Sequence, residues 1–496
     1  MQEEFEQIAK TFQGLEEVLA EELTELGANN IEIGRRMVSY TGDKAMMYRA
    51  NFSLRTAIRI LKPIKRFTAN NADDVYEAVK SVEWADYMDQ RNTFAVDAVV
   101  YSEKFRHSKF VAYKVKDAIV DYFREKTGDR PSVSVSNPDF YFNIHISDDK
   151  CTLSLDSSGE SLHRRGYRQE HVEAPLNEVL AAGMILMTGW RGECDLIDPM
   201  CGSGTIPIEA ALIARNIAPG VFRKSFGFEH WKDFDRDLFD EIYNDDSNER
   251  EFTHKIYGYD NSLRANEIAG HNVKAAGVSK DIVLKVQPFQ QFEQPAEKSI
   301  IITNPPYGER ISSDDLLGLY GMIGERLKHA FVGNEAWVLS YRDECFDEIG
   351  LKASAKVRLF NGPLECQFRK YVMFDGKAKK VKSEKLRART SHSPYMSEKG
   401  EEVCDSRART SHSPYTKVKS EELRVKSEEW RARTSHSPYK REKGEEAKEV
   451  YGGRNPKFRY SDDYETKRER PSTDDGRPKN SPRFQYMHPK RVKSEE

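Results

Sequence analysis

"CDLIDPMCGSGTIPIEAALIA", residues 194 to 214, reads as a short apolar strand ending at Asp198, a glycine-rich turn, and a helix opening near Thr205. Gly202 and Gly204 let the backbone pass close to a ligand, and a helix that starts there presents unpaired N–H groups. A dinucleotide fingerprint needs a third glycine where this chain has Pro207, and a G-K-[ST] phosphate loop is absent. An aspartate at the strand end is a poor neighbour for pyrophosphate. It suits a ligand carrying amino and sulfonium charges.

Downstream of this unit, helical and apolar strand segments alternate: "KIYGYD", "LRANEIAGHNVKAAGV", "IVLKVQ", "SIIITNPP". Such alternation predicts a largely parallel sheet with helices on both faces. The second strand ends in "YGYDNS", where Asp260 is placed to accept hydrogen bonds from the two hydroxyls of a ribose. The fourth ends in "TNPPYGER", residues 303 to 310, whose paired prolines can neither continue a sheet nor begin an ordinary helix. There the side-chain carbonyl of Asn304 and the backbone carbonyl of Pro305, held rigid by Pro306, can accept both N–H groups of an exocyclic amine. Tyr307 adds a flat face for a base to stack on, worth roughly 1 to 3 kcal/mol. Two acceptors out of the base plane favour a pyramidal nitrogen and aim its lone pair, which is catalysis by orientation and electrostatics.

Upstream, residues 1 to about 160 read as a mixed α+β region. "GLEEVLAEELTELGANN" has apolar residues at helical spacing with Gly27 as terminator, and "SVSVSNPDFYFNIHISDDKCTLSLDSSG" reads as a hairpin. The chain of 496 residues carries 78 Lys and Arg against 81 Asp and Glu, but the near balance conceals two parts. From residue 377 onward there are 32 basic against 21 acidic residues, so the body before it is acidic. In that tail "RARTSHSPY" recurs at 387, 407 and 431 and aliphatic residues nearly vanish, which predicts disorder.

Six cysteines without a C-x-x-C pair suggest neither a zinc site nor a disulfide framework, so no metal is expected. The acidic N-terminus and the lack of a long apolar run predict a cytoplasmic protein without a membrane span. Two stretches interleave basic and aromatic residues as RNA contacts do: Lys104, Arg106 and Lys109 around Phe105, and Arg164, Arg165 and Arg168 around Tyr167. Arg165 and Tyr167 equally suit a lock between domains; Arg164 is expected to be exposed and "RGY" packed. The aromatics of "RKSFGFEHWKDFD", residues 223 to 235, either cap the substrate pocket or form a small satellite core.

"DPMCGSGT", "YGYDNS" and "TNPPYGER" closely resemble the class I S-adenosylmethionine-dependent methyltransferases of the N-P-P-Y branch. "DSSGESLHRRGYRQEHVEAPLNEVLAAGMI", residues 156 to 185, resembles the junction in THUMP-domain RNA methyltransferases, in particular bacterial enzymes that make N2-methylguanine in large-subunit (23S) ribosomal RNA. The resemblance covers roughly residues 1 to 376. It implies an N-terminal ferredoxin-like part (1–60), a THUMP RNA-binding domain (61–160) and a Rossmann-like catalytic domain (161–376), followed by the basic tail (377–496). It also implies S-adenosyl-L-methionine as cofactor and RNA as partner. Carried over, Asp198, Pro199, Cys201, Gly202, Ser203 and Gly204 hold the methionine end, Asp260 and Asn261 the ribose, and Asn304 to Tyr307 the target guanine, with Asn304 also facing the cofactor. Many relatives carry Asp or Asn after the third strand for the adenine amine. Here Gln287, Gln290 or a backbone group takes that role, with Phe289 packed on the ring. The same motif logic serves DNA adenine-N6 and protein-glutamine methyltransferases, which the front region disfavours. A transfer-RNA guanine-N2 methyltransferase and a non-catalytic ribosome assembly factor are the other readings.

Overall fold

A computed structural model of the chain describes residues 3–374 apart from 173, 296–297 and 309–311. The repeat-bearing tail, expected to be disordered, lies outside the described residues. Among the described residues no helix is long and apolar enough to cross a membrane.

The front of the chain runs β1 (Phe5–Lys10), α1 (Glu16–Glu25), β2 (Asn29–Gly34), β3 (Met37–Gly42), α2 (Lys44–Ser53), β4 (Arg59–Thr68), α3 (Ala72–Lys80), β5 (Thr93–Tyr101), α4 (Ser108–Thr127), β6 (Ser132–Val133), β7 (Phe140–Ser147) and β8 (Lys150–Asp156). The eight strands form one sheet in the order β2-β3-β1-β4-β8-β7-β5-β6. β4 is the shared strand, pairing with β1 on one side and β8 on the other. Its Pro63 has no N–H to give a ladder, and the β4–β8 register shifts between Pro63 and Lys65, where a bulge absorbs the missing donor. The hairpin expected in residues 132–159 is β7–β8.

The rest comprises α5 (Glu178–Met187), β9 (Asp195–Asp198), α6 (Thr205–Ala214), α7 (Arg236–Asn244), β10 (Ile256–Asp260), α8 (Leu263–Ala275), β11 (Ile282–Val286), β12 (Ser299–Thr303), α9 (Ser313–Ala330), β13 (Glu335–Ser340), α10 (Asp343–Glu348), β14 (Ala355–Asn361) and β15 (Leu364–Val372). These strands form a second sheet, β11-β10-β9-β12-β13-β15-β14, parallel except for β15, which runs antiparallel to β13 and β14. β9 and β12 are buried at every position, as strands covered on both faces must be. The chain leaves β9 towards β11 and returns to β12 on β9's other side, so a crevice opens above the carboxyl ends of β9 and β12.

The segment 219–244 packs on the front region. Phe226, Phe228, Trp231, Phe239 and Ile242 belong to the same apolar cluster as the front sheet and its helices. Phe228 stacks on Tyr48 of α2 at 4.3 Å, and the Lys232 ammonium donates to the carbonyl of Ala85. Of the two roles open for these aromatics, neither a pocket cap nor a satellite core describes them. They are a clasp that continues the front core, each buried ring contributing roughly 1.5 to 3 kcal/mol.

Candidate active site

The turn between β9 and α6 is built on its glycines. Gly204 is the N-cap of α6 at φ 82°, and a Cβ there would sit 3.2 Å from the Ala269 methyl of α8, so the turn and α8 approach closely only without a side chain. The Gly202 N–H donates to Asp260 Oδ2 (3.0 Å), and the Cys201 N–H to the Tyr259 carbonyl (2.8 Å), which ties the turn to the end of β10. Asp260 Oδ1 accepts from the Ser262 N–H (2.9 Å), which fixes the carboxylate across both elements.

Asp198 is 1% exposed. Its Oδ1 accepts from the Met200 N–H (3.3 Å) and from the Thr303 hydroxyl on β12 (3.1 Å). Burial pushes its carboxyl up to about 7; these two hydrogen bonds oppose the shift and the charge of Asp260 adds to it. Among the described residues no ion pair engages Asp198 or Asp260. A buried carboxyl with donors but no cation is a fitting partner for a ligand that carries its own positive charge. Cys201 shares this wall, and burial holds its thiol well above the ordinary range, so it packs rather than reacts.

At the end of β12, Asn304 and Tyr307 meet each other: the Tyr307 hydroxyl donates to Asn304 Oδ1. The Tyr307 ring lies edge-on to Tyr341, centroids 5.3 Å apart at 88°. The aromatic expected to offer an open face therefore holds one of the two amine acceptors in this state.

These groups line a cavity of about 950 Å³, within the range of small-molecule and cofactor sites. Its walls include Asp198, Pro199, Cys201, Gly202, Ser203, Asp260, Asn261, Phe289 and Asn304 to Tyr307. Two expected residues are not on its wall. Gly204 stands behind the turn as helix cap. Gln287 is turned aside because its amide donates to the Gln291 carbonyl of the short helical turn Phe289–Gln291. Gln290 and Phe289 do face the cavity, Phe289 backed by Phe331 at 5.6 Å. Three further stretches line it that spacing did not single out: Val172 and Ala174–Leu176, Asp315 with Gly318, Leu319 and Met322 of α9, and the β14–β15 turn at Asn361–Leu364. The first lies inside the junction of residues 156–185, the last carries the turn residues N-G-P, and the α9 residues carry no local signal.

The basic candidates divide. Lys104 and Arg106 are exposed in the loop before α4 and Lys109 in its first turn, with Lys104 donating to Asn70 Oδ1 (2.7 Å). Their expected stacking partner Phe105 is only 6% exposed and belongs to the front core. Phe110 and Tyr113, in the first and second turns of α4, are the exposed rings instead, at 52% and 60%. Arg164 is exposed and pairs with Glu160 (2.7 Å). Arg168, expected at the RNA face, points inward to Glu178 (2.7 Å) and to the hydroxyls of Ser203 and Thr205 (2.9 Å each). Arg165 and Tyr167 are buried as expected; Arg165 donates to the Arg55 carbonyl of the front region and Tyr167 to Glu209 of α6 (2.9 Å).

Comparison with known proteins agrees with this architecture. The chain matches an "RlmL ferredoxin-like domain" over residues 6–61, a "THUMP domain" over 69–156 and an "RMKL-like, methyltransferase domain" over 165–370. A Synechocystis protein with a provisional RNA methyltransferase name is 39% identical over 369 residues, 74% of this chain and 96% of that protein. The ribosomal RNA large subunit methyltransferase K/L of Syntrophotalea carbinolica is 41% identical over 368 residues, 71% of this chain. The chain spans about half the length of that relative, 52%. The crystal structure of SMU.472, a methyltransferase candidate complexed with SAH, superposes with a TM-score of 0.67 at 29% identity, covering 76% of this chain and all of the other. The ferredoxin-like and THUMP front, the methyltransferase sheet order and a cavity suited to a cationic cofactor together mark the chain as a member of the S-adenosylmethionine-dependent, THUMP-bearing RMKL-like methyltransferase family.

Proposed function

We propose that this protein methylates the exocyclic N2 amine of a guanine in large-subunit ribosomal RNA. The observation that carries the reading is the shared cavity: Asp198 and Asp260 on one wall, Asn304 and Pro305 on the next, at the carboxyl ends of adjacent strands. The K/L relatives, named for the large-subunit RNA, support the choice of substrate. When bound, the cofactor supplies an electrophilic methyl group on a sulfonium. Asp198 and Asp260 hold its charge and its ribose. Asn304 Oδ1 and the Pro305 carbonyl accept the two amine N–H groups, and the Tyr307 ring stacks on the base once its hydroxyl leaves Asn304. No strong base is needed, because a nitrogen that has formed its new bond is cationic and loses its proton to water readily.

RNA docking is assigned to the exposed face of α4 and the loop before it, where Lys104, Arg106 and Lys109 flank Phe110 and Tyr113. With an acidic body, such a local basic face makes binding fall steeply with salt. The test is transfer of a labelled methyl group to ribosomal RNA from cells lacking the protein, followed by nucleoside mass analysis. N2-methylguanosine in large-subunit RNA is the expected product; N6-methyladenosine, or labelling of transfer RNA alone, would refute the assignment.

The buried Asp198 sets a pH dependence. Below about 7 the free protein holds this carboxyl protonated, and a cationic ligand favours its ionised form. Cofactor binding is therefore expected to release a proton at pH values below about 7 and to tighten as pH rises towards about 7. Calorimetry in buffers of different ionisation enthalpy reads the proton directly, and Asp198→Asn should lose both the proton release and most of the affinity.

A further inference from the structure

Arg168 and Asn272 hold the cofactor turn from two sides, and neither belongs to the cavity wall. Arg168 donates through Nη1 to Ser203 Oγ (2.9 Å) and through Nη2 to Thr205 Oγ1 (2.9 Å) and the Leu176 carbonyl (3.3 Å). Its Nε is balanced by the buried Glu178 carboxylate at 2.7 Å. Asn272, fully buried on α8, donates to the carbonyls of Ser203 (3.1 Å) and Glu170 (3.0 Å). Its Oδ1 accepts from the N–H groups of Gln169 (2.9 Å) and Glu170 (3.3 Å). Ser203, between the two glycines of the turn, is thus fixed at its hydroxyl by one residue and at its carbonyl by the other. Both lead to residues 168–170 of the linker that joins the front region to the methyltransferase sheet. Three residues before Arg168, Arg165 donates to the Arg55 carbonyl of the front region.

We propose that Arg168 and Asn272 are positioning residues for the cofactor: they preorganise the Gly202–Gly204 turn and brace it on the linker. A glycine-rich turn is free to sample many conformations, and α6 has no side-chain cap of its own to restrict it. The planar guanidinium supplies that restriction by reaching two hydroxyls, a carbonyl and a carboxylate at once. A lysine ammonium keeps the charge opposite Glu178 without the fork. The inference rests on the turn binding the cofactor and is independent of which nucleic acid is methylated.

The experiment compares wild type, Arg168→Lys, Ser203→Ala and the double variant for binding of S-adenosylhomocysteine by calorimetry, with unfolding temperature and kcat at saturating cofactor alongside. Arg168→Lys is expected to weaken binding at least tenfold, with a free protein that stays folded at a somewhat lower unfolding temperature and kcat within about twofold. Ser203→Ala should weaken it less, and the double variant should be no worse than Arg168→Lys alone, because one contact is being removed twice. Wild-type affinity in Arg168→Lys, a kcat loss without an affinity loss, or effects that multiply independently would overturn the proposal. Should wild type itself fail to bind S-adenosylhomocysteine, the cofactor assignment fails instead. Asn272→Ala serves as the second arm, expected to weaken binding in the same direction.

Discussion

Asn304→Ala should lower methyl transfer by roughly a hundred- to a thousand-fold, the cost of removing one preorganised group that acts on developing charge. The loss should fall mainly on kcat. Without Oδ1, the Pro305 carbonyl alone faces the amine, the nitrogen lone pair stays conjugated with the base, and the attack geometry is lost. The same atom now accepts from the Tyr307 hydroxyl, which separates two accounts of the tyrosine. If Tyr307 acts through its ring, Tyr307→Phe keeps the stacking face and removes a competitor for Asn304, so activity should hold or rise. Tyr307→Ala should lose about 1 to 3 kcal/mol of stacking. Steady-state kinetics on the RNA substrate decides it: a phenylalanine variant as impaired as Asn304→Ala would mean that the hydroxyl takes part in the chemistry, and the acceptor account would have to be abandoned.

What the sequence made legible was whatever local chemistry determines. The β9 strand, the glycine turn and the position of N-P-P-Y at the end of β12 are short-range features, since apolar runs, glycine and proline act on their own backbone. Asp198 and Asp260 share one cavity for the same reason, each lying at a strand end whose place in the sheet follows from right-handed crossovers. The readings that changed depend on partners far along the chain. Arg168 looks like a solvent-facing cation in "RGYR" until Glu178, Ser203 and Thr205 are folded around it. Phe105 sits among basic residues in the chain, yet it packs inward and leaves Phe110 and Tyr113 outside. Gln287 is a plausible adenine ligand by position and is diverted by a carbonyl four residues on. The aromatics of 223–235 have no periodicity to say which surface they bury, and their partner Tyr48 is far away in sequence.

Glu209→Ala is expected to produce the largest loss of stability of any single change at the junction, roughly 3 to 5 kcal/mol. Glu209 is fully buried on α6, with the 2%-exposed Arg165 guanidinium at 3.5 Å and the Tyr167 hydroxyl at 2.9 Å. Burial drives its carboxyl towards the neutral form, and Arg165 is the chief opposing influence, so the pair is held together against desolvation. Arg55, whose guanidinium is pushed down to about 10 by burial, feels the charges of both Glu22 and Glu209. Deleting Glu209 therefore takes from the buried Arg165 its ion-pair partner and leaves Arg55 with Glu22, a larger penalty than the loss of a hydrogen bond. Tyr167→Phe, which removes only the hydroxyl, should cost about 1 kcal/mol, and Glu209→Gln should fall between the two. Denaturant unfolding of the three variants measures the order. If Glu209→Ala proved no worse than Tyr167→Phe, the charge balance would be incidental and packing alone would hold the linker to α6. If the expected order holds, the same carboxylate that compensates Arg165 also anchors the helix whose first turn carries Thr205 and the cofactor loop, so cofactor affinity should decline in parallel with stability.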